Sequence, residues 1–182
     1  MSILKVARMG HPVLRKKCKA INPLSIKGSE IQGLIRDMFE TMAEYNGVGL
    51  AAPQVHHPVR LLIAGGEANE EGQPTYRVMI NPEITVLDEE KRLGMYEGCL
   101  SVPGLRGWVE RSAHIKVSAY NEKGQKQEFE MEGFPAIVMQ HECDHLDGVL
   151  YVDRIQDTTR FAYEDEAERF LDLTGEEGFD DE

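Results

Sequence analysis

The chain has 182 residues, 41% hydrophobic content and a formal net charge of −12, which predicts one globular domain with a core large enough to need no staples. Such acidity argues against broad nucleic-acid binding, DNA included. No apolar run reaches transmembrane length and no signal-peptide core is visible, so a membrane role is not expected. The three cysteines, Cys18, Cys99 and Cys143, are too widely spaced for a disulfide framework and fit a reducing cytoplasm.

Residues 1–29 carry seven Lys or Arg and no acidic residue. Transit peptides share that bias, but Val13, Leu14 and Ile21 read as core anchors and Pro12 and Pro23 as turns. An ordered basic segment is therefore expected in place of an organellar targeting sequence. From Glu30 to Asn46, Ile31, Leu34, Ile35, Met38, Phe39 and Met42 form an apolar stripe of helical period, ended by Asn46-Gly47.

The stretch that follows, Gly47-Val48-Gly49-Leu50-Ala51-Ala52-Pro53-Gln54, is small and apolar with a single amide. Its glycines permit a close approach of another chain. A tight turn packed in the core explains the same residues, and a phosphate cradle is a weak reading because the Lys-Ser/Thr ending of a P-loop is missing. Strands are expected at 59–64, 76–80, 84–87, 115–120 and 127–131, where β-branched and alternating residues sit between turns such as Asn81-Pro82. Residues 65–74, rich in Gly, Glu and Asn, read as an exposed loop.

The most informative segment is Gln140-His141-Glu142-Cys143-Asp144-His145. Phe134, Ile137, Val138, His141 and His145 continue one helical stripe, and Gly133, Pro135 and Gly148 suit the ends of a helix over 134–147. Residues four apart share a helix face, so the imidazoles of His141 and His145 can grip one ion, while Glu142, about 100° round, reaches a water without being a ligand. That is the geometry of a catalytic divalent metal with a general base beside it.

Such a site takes three protein ligands and one water. Cys99, in Glu97-Gly98-Cys99-Leu100-Ser101-Val102-Pro103-Gly104, is the best candidate for the third, since Cys143 faces about 200° away from His141 and Cys18 lies in a segment without a site. A buried, inert thiol is the plainer alternative. Farther on, Asp157 predicts the cap of a helix from Thr158 to Leu173, ending near Gly175, with an acidic tail over 176–182.

Together the three stretches 47–54, 97–101 and 140–145 resemble the three signature motifs of peptide deformylases in kind, order and spacing. The resemblance extends over about residues 3–155. It implies a metal-dependent hydrolase that removes the formyl group from the initiator methionine of new polypeptides. Cys99, His141 and His145 would hold the ion, most often Fe²⁺ in the family, with Zn²⁺, Ni²⁺ or Co²⁺ as replacements. Glu142 would be general base and then acid, and the Gln54 amide and Leu100 N–H would stabilise the oxyanion. Val48, Met95, Phe134, Ile137 and Val138 would line the methionine pocket, with Gly49 and Gly98 beside the substrate backbone, Glu97 at the pocket edge and Arg106 at its rim.

The expected fold is α+β. Antiparallel or mixed sheets would pack around a buried metal-binding helix, in one catalytic domain over residues 1–175. Formyl-Met nascent peptides are the implied partners, with transient ribosome contact left possible. Ten acidic residues and one Arg in 164–182 argue against rRNA docking by the C-terminal helix. Two other classes share parts of the pattern. A zincin peptidase would need a different third ligand, and a structural metal domain would need a fourth, for which His114 is the obvious spare.

Overall fold

The computed structural model describes residues 2–171. Three helices and eight strands are defined there: α1 (Ser29–Glu44), β1 (Gly49–Ala51), β2 (Leu61–Ala68), β3 (Pro74–Val86), β4 (Arg92–Cys99), β5 (Val102–Ser112), β6 (His114–Tyr120), β7 (Lys126–Glu132), α2 (Phe134–Leu146), β8 (Phe161–Tyr163) and α3 (Glu164–Phe170). One sheet runs β1-β2-β3-β6-β7 and a smaller one β4-β5-β8. The strand pairings within both are antiparallel, so the α+β class expected from sequence holds.

The larger sheet is covered by a helix on each face, and strand alternation decides which residue goes where. Leu61 and Ile63 of β2, with Val78 and Ile80 of β3, pack on Leu34, Ile35, Met38 and Met42 of α1. Leu62, Ala64 and Met79 point the other way, onto Ala136, Val138, Met139, Cys143 and Leu146 of α2. A strand buried on both faces reads as an unbroken apolar run, which is what Leu61 to Ala64 spells. Val13 and Leu14 are buried as anticipated, against Val102 and Val109 of the smaller sheet and Leu150 and Tyr151. Among the described residues no helix is long and apolar enough to cross a membrane.

Three expectations need correction. Residues 65–68 are not loop: β2 continues to Ala68, and Glu67 and Ala68 pair with Thr75 and Pro74. Backbone pairing there outweighs the weak strand propensity of Gly and Glu. The strands expected at 76–80 and 84–87 are one strand, with an irregularity in its pairing between Ile80 and Glu83. At that point Asn81 takes a positive φ of 51° and exchanges two hydrogen bonds with the backbone of Ile21.

The smaller sheet was anticipated nowhere. Nor is 158–173 one helix. Asp157 does accept the Thr159 N–H, but it caps a 3₁₀ turn (Thr158–Arg160), after which the chain pairs with β5 and only then becomes α3. The remainder of that expected helix beyond 171, with Gly175 and the acidic tail, lies outside the described residues.

Helix α2 stops at Asp147, and Gly148 follows with φ of +78° against the Arg15 backbone, where an added Cβ would lie 2.8 Å from a carbonyl. Both the backbone angle and the space demand glycine. Gly148→Ala is expected to lower stability by about 1–3 kcal/mol, read as the urea midpoint. An unchanged midpoint would show that the α2 terminus yields easily.

Candidate active site

Helix α2 enters with Pro135 in its first turn and carries His141 and His145 one turn apart, their rings 5.0 Å between centroids. Strand β4 ends at Cys99, whose Sγ is 3.3 Å from His145 Nε2. One potential ligand atom from each of Cys99, His141 and His145 lies within 4.8 Å of the others. Among the described residues this is the one such cluster of three or more His, Cys or carboxylate groups. His114 lies elsewhere, 3.0 Å from Glu130 on the β6–β7 hairpin. Cys143 faces the core, where burial pushes its thiol pKa up.

One donor, His141, is held from behind. His141 Nδ1 is 2.7 Å from Glu97 Oε2, which leaves Nε2 to face Cys99. Glu97 accepts two bonds from Arg111, and Arg111 donates a third, at 2.8 Å, to Asp144 of α2. Arg154 adds two more bonds to Asp144. Tyr151 stacks on His141 at 20° between planes and donates to the Leu105 carbonyl. Glu97, expected at the pocket edge, lines the cavity while only 5% exposed, and in addition supports an imidazole. Arg111, Asp144, Arg154 and Tyr151 were missed. Asp144 alone carried a local signal, as a second acid inside the histidine motif.

Electrostatics follow from burial and these partners. Burial opposes charge on Glu97, but Arg111 and His141 hold its carboxyl below the usual range. Burial, then His141 and Arg111, keeps the His145 pKa far below normal, so that imidazole is neutral, as a metal ligand must be. Burial works against charge on His141 too, yet hydrogen bonding to Cys99 and Glu97 raises its pKa well above normal. A cation taking the Nε2 position displaces that proton.

Glu142 is 5% exposed, and burial raises its carboxyl to about 7. A Cβ at Gly49 would stand 2.4 Å from its Oε1, so only glycine there lets the carboxylate lie against β1. Gln54 is 1% exposed, and its orientation is fixed. Its Oε1 accepts from the Ala51 N–H at 2.8 Å, which turns Nε2 toward Ser101 Oγ at 3.2 Å and Cys99 Sγ at 3.5 Å.

A cavity of about 430 Å³ opens onto this cluster. Val48, Gly49, Gln54, Met95, Glu97, Gly98, Cys99, Leu100, Arg106, Phe134, Ile137, Val138, His141 and Glu142 all line it. Of the residues expected in the site only His145 is not at its wall, being buried behind Cys99. A larger cleft of about 520 Å³ lies at the opposite side of α2, by Gln140, Cys143 and Asp147, but holds none of the three clustered donors. Its arginines 60, 92, 111 and 154 are all paired to carboxylates.

The donor set suits a metal. Among the described residues, buried Glu142 Oε2 has no hydrogen-bond partner, and His145 turns its Nε2 to the Cys99 thiol. One thiol and two imidazoles, the first oriented by a carboxylate, leave a coordination position open.

The polypeptide deformylase family model matches residues 3–161. The chain belongs to that family. It is 43% identical over 171 residues to the peptide deformylase of Leptospira biflexa, covering 91% of this chain and 95% of the relative. To peptide deformylase 1 of Bordetella pertussis it is 47% identical over 162 residues, 87% and 90% of the two chains. The Thermotoga maritima peptide deformylase structure superposes with a TM-score of 0.75 at 40% identity, over 85% of this chain and 99% of that one. A Met-Ala-Ser bound class I type b peptide deformylase from Acinetobacter baumannii gives 0.77 at 37% identity, over 84% and 98%. As a deformylase, the chain is a metal-dependent hydrolase that removes N-formyl groups from nascent polypeptides.

Two predictions arise from this geometry. Glu97→Gln is expected to weaken metal affinity about 10–100-fold in a chelator competition, because the carboxylate behind His141 is lost. Unchanged affinity would remove Glu97 from the support of the site. The second concerns pH. The unfolded Glu142 carboxyl titrates near 4.5 and the folded, metal-free one at about 7. Here the folded state holds the proton more tightly, so this stabilising contribution is complete below pH 4.5 and is lost as pH rises to 7. Glu142→Gln should therefore stabilise the metal-free protein by about 1–3 kcal/mol at pH 8 and hardly at all at pH 4. Equal effects at both pH values would contradict the assigned burial cost.

Proposed function

We propose that Cys99, His141 and His145 hold a single divalent ion, and that Glu142, Gln54 and the Leu100 N–H carry the deformylation of formyl-methionyl peptides beside it. The observation that carries this reading is the convergence of the three donors with a buried carboxylate, raised to about 7, in one cavity. Fe²⁺ is the ion we assign, with Zn²⁺, Ni²⁺ or Co²⁺ able to replace it, since a thiolate and two imidazoles suit several first-row ions. When bound, the ion supplies Lewis acidity, activating water and polarising a carbonyl near neutral pH.

The chain's own groups do the remainder. Glu142 takes the proton of the attacking water and returns it to the departing amine, a role that its buried position at the cavity wall beside His141 suits. Gln54 is pinned through its Oε1, so its amide plane is fixed and Nε2 exchanges its long contact with Cys99 Sγ for the developing oxyanion, together with the Leu100 N–H. Gly49 lets Glu142 pack directly against β1, which keeps the carboxylate at the cavity wall.

The methionine side chain enters among Val48, Met95, Phe134, Ile137 and Val138, with Gly49 and Gly98 at the same cavity wall beside the peptide backbone. Val48 and Phe134 are 44% and 43% exposed, large apolar surfaces left at the cavity. The Met-Ala-Ser bound relative supports methionine as the first residue.

We read residues 1–175 as one catalytic domain working in the cytoplasm, consistent with the bacterial relatives. Any ribosome contact lies away from α3, whose Glu164, Asp165, Glu166 and Glu168 would be repelled by phosphate.

Formate release from a formyl-Met peptide, with the acetyl-Met peptide as control, tests the assignment on anaerobic, Fe²⁺-loaded protein. Glu142→Ala is expected to retain metal and lose about 10²–10⁴ in kcat. Cys99→Ala is expected to lose the metal itself. Normal turnover in the Glu142 variant would overturn the mechanism.

A further inference from the structure

The cavity has one wall that comes from far along the chain. Strand β8 pairs on the outer edge of β5, with Ala162 opposite Arg106. The next residues begin α3, and Glu164 thereby lines the same cavity as Cys99, His141 and Glu142. Its Oε1 accepts two bonds from Arg106, one from Nε at 3.0 Å and one from Nη2. The Nε–Nη2 edge of a guanidinium is a side on which it receives a carboxylate. The remaining Nη1 lies over Gly98, where an added Cβ would stand 2.0 Å away. Arg106 is thus fixed between the strand that ends in Cys99 and an acid of the C-terminal segment, with its side-on carboxylate position filled.

Neither side chain is deeply buried, at 36% and 38% exposed. A pair this open to solvent adds little to folding and can be displaced by a competing ligand. Asp165 and Glu166 follow in the same turn, so negative charge continues beyond the pair.

Resting on the deformylase reading above, we propose that Glu164 is a specificity-determining residue that occupies Arg106 as an internal carboxylate, and so disfavours peptides carrying Asp or Glu shortly after the formyl-methionine. A substrate carboxylate reaching this end of the cavity must break two charge-assisted bonds to use Arg106. It must also approach the carboxylate that it displaces. Neutral peptides meet neither barrier.

The test compares kcat/KM of the metal-loaded, full-length protein for formyl-Met-Ala-Ser with peptides bearing Glu at the second, third or fourth position, all C-terminally amidated. Glu164→Gln keeps an oxygen that accepts from Arg106 but removes the charge. The ratio of a Glu peptide to the neutral peptide is expected to rise about three- to tenfold in this variant at one or more of the positions, through KM. In the unaltered protein, raising salt from about 20 mM to about 500 mM should lift the same ratio, because screening weakens the repulsion between the peptide carboxylate and Glu164, and the lift should be smaller in Glu164→Gln. Ratios that are the same in both proteins at all three positions, or that do not respond to salt, overturn the proposal. Absence of turnover even with formyl-Met-Ala-Ser is a different failure, that of the deformylase reading itself.

Discussion

A buried guanidinium joins the two parts of the structure that must meet for the site to exist. Arg111 is 3% exposed, extends from β5, and binds Glu97 of β4 on one side and Asp144 of α2 on the other. Cys99 stands two residues after Glu97, and His145 one residue after Asp144, so the ion network fixes the separation of the thiol from the imidazoles. Removing one member of such a network leaves an uncompensated buried charge, at a cost of about 3–5 kcal/mol. Glu97 uses a third bond, at Oε2, to set the ring of His141. Support and ligand orientation are therefore one set of contacts.

Around this frame, α2 divides its surface between stability and chemistry. Met139, Cys143 and Leu146 are spent on the larger sheet, while His141 and Glu142 face the cavity. Glu142 is the costly residue: a carboxyl without a partner for Oε2, against a strand that only glycine lets come so near. A site that keeps a polar group unsatisfied at rest has that group ready for a proton. The amide of Gln54 is the contrasting case, bonded on both sides before any substrate arrives.

The parts of the fold written in local period were legible. The stripe Leu34, Ile35, Met38, Met42 gave α1, and the run into His141 and His145 gave α2, because a helix repeats its pattern within itself. Strands β4 and β5 were invisible for a physical reason. Arg92, Glu97, Arg106, Glu110 and Arg111 interrupt any alternation, and two of them point inward, where pattern-reading expects apolar residues. The Asp157 signal was real but locally ambiguous, since a cap serves a 3₁₀ turn as well as a helix, and pairing with the β5 edge then took over. The clustered donors were legible as residue types. Arg111 and Glu164 were not, because their partners lie 14 and 58 residues away in the chain.

The central claim is that a thiolate from the small sheet and two imidazoles from α2 share one ion with a position left open. X-ray absorption at the metal edge of the Fe²⁺- or Zn²⁺-loaded protein tests it directly. The predicted first shell has one sulfur, at about 2.3 Å for zinc, two imidazole nitrogens and one further light atom exchangeable with solvent. A shell without sulfur, or one closed by four protein ligands, would contradict the account.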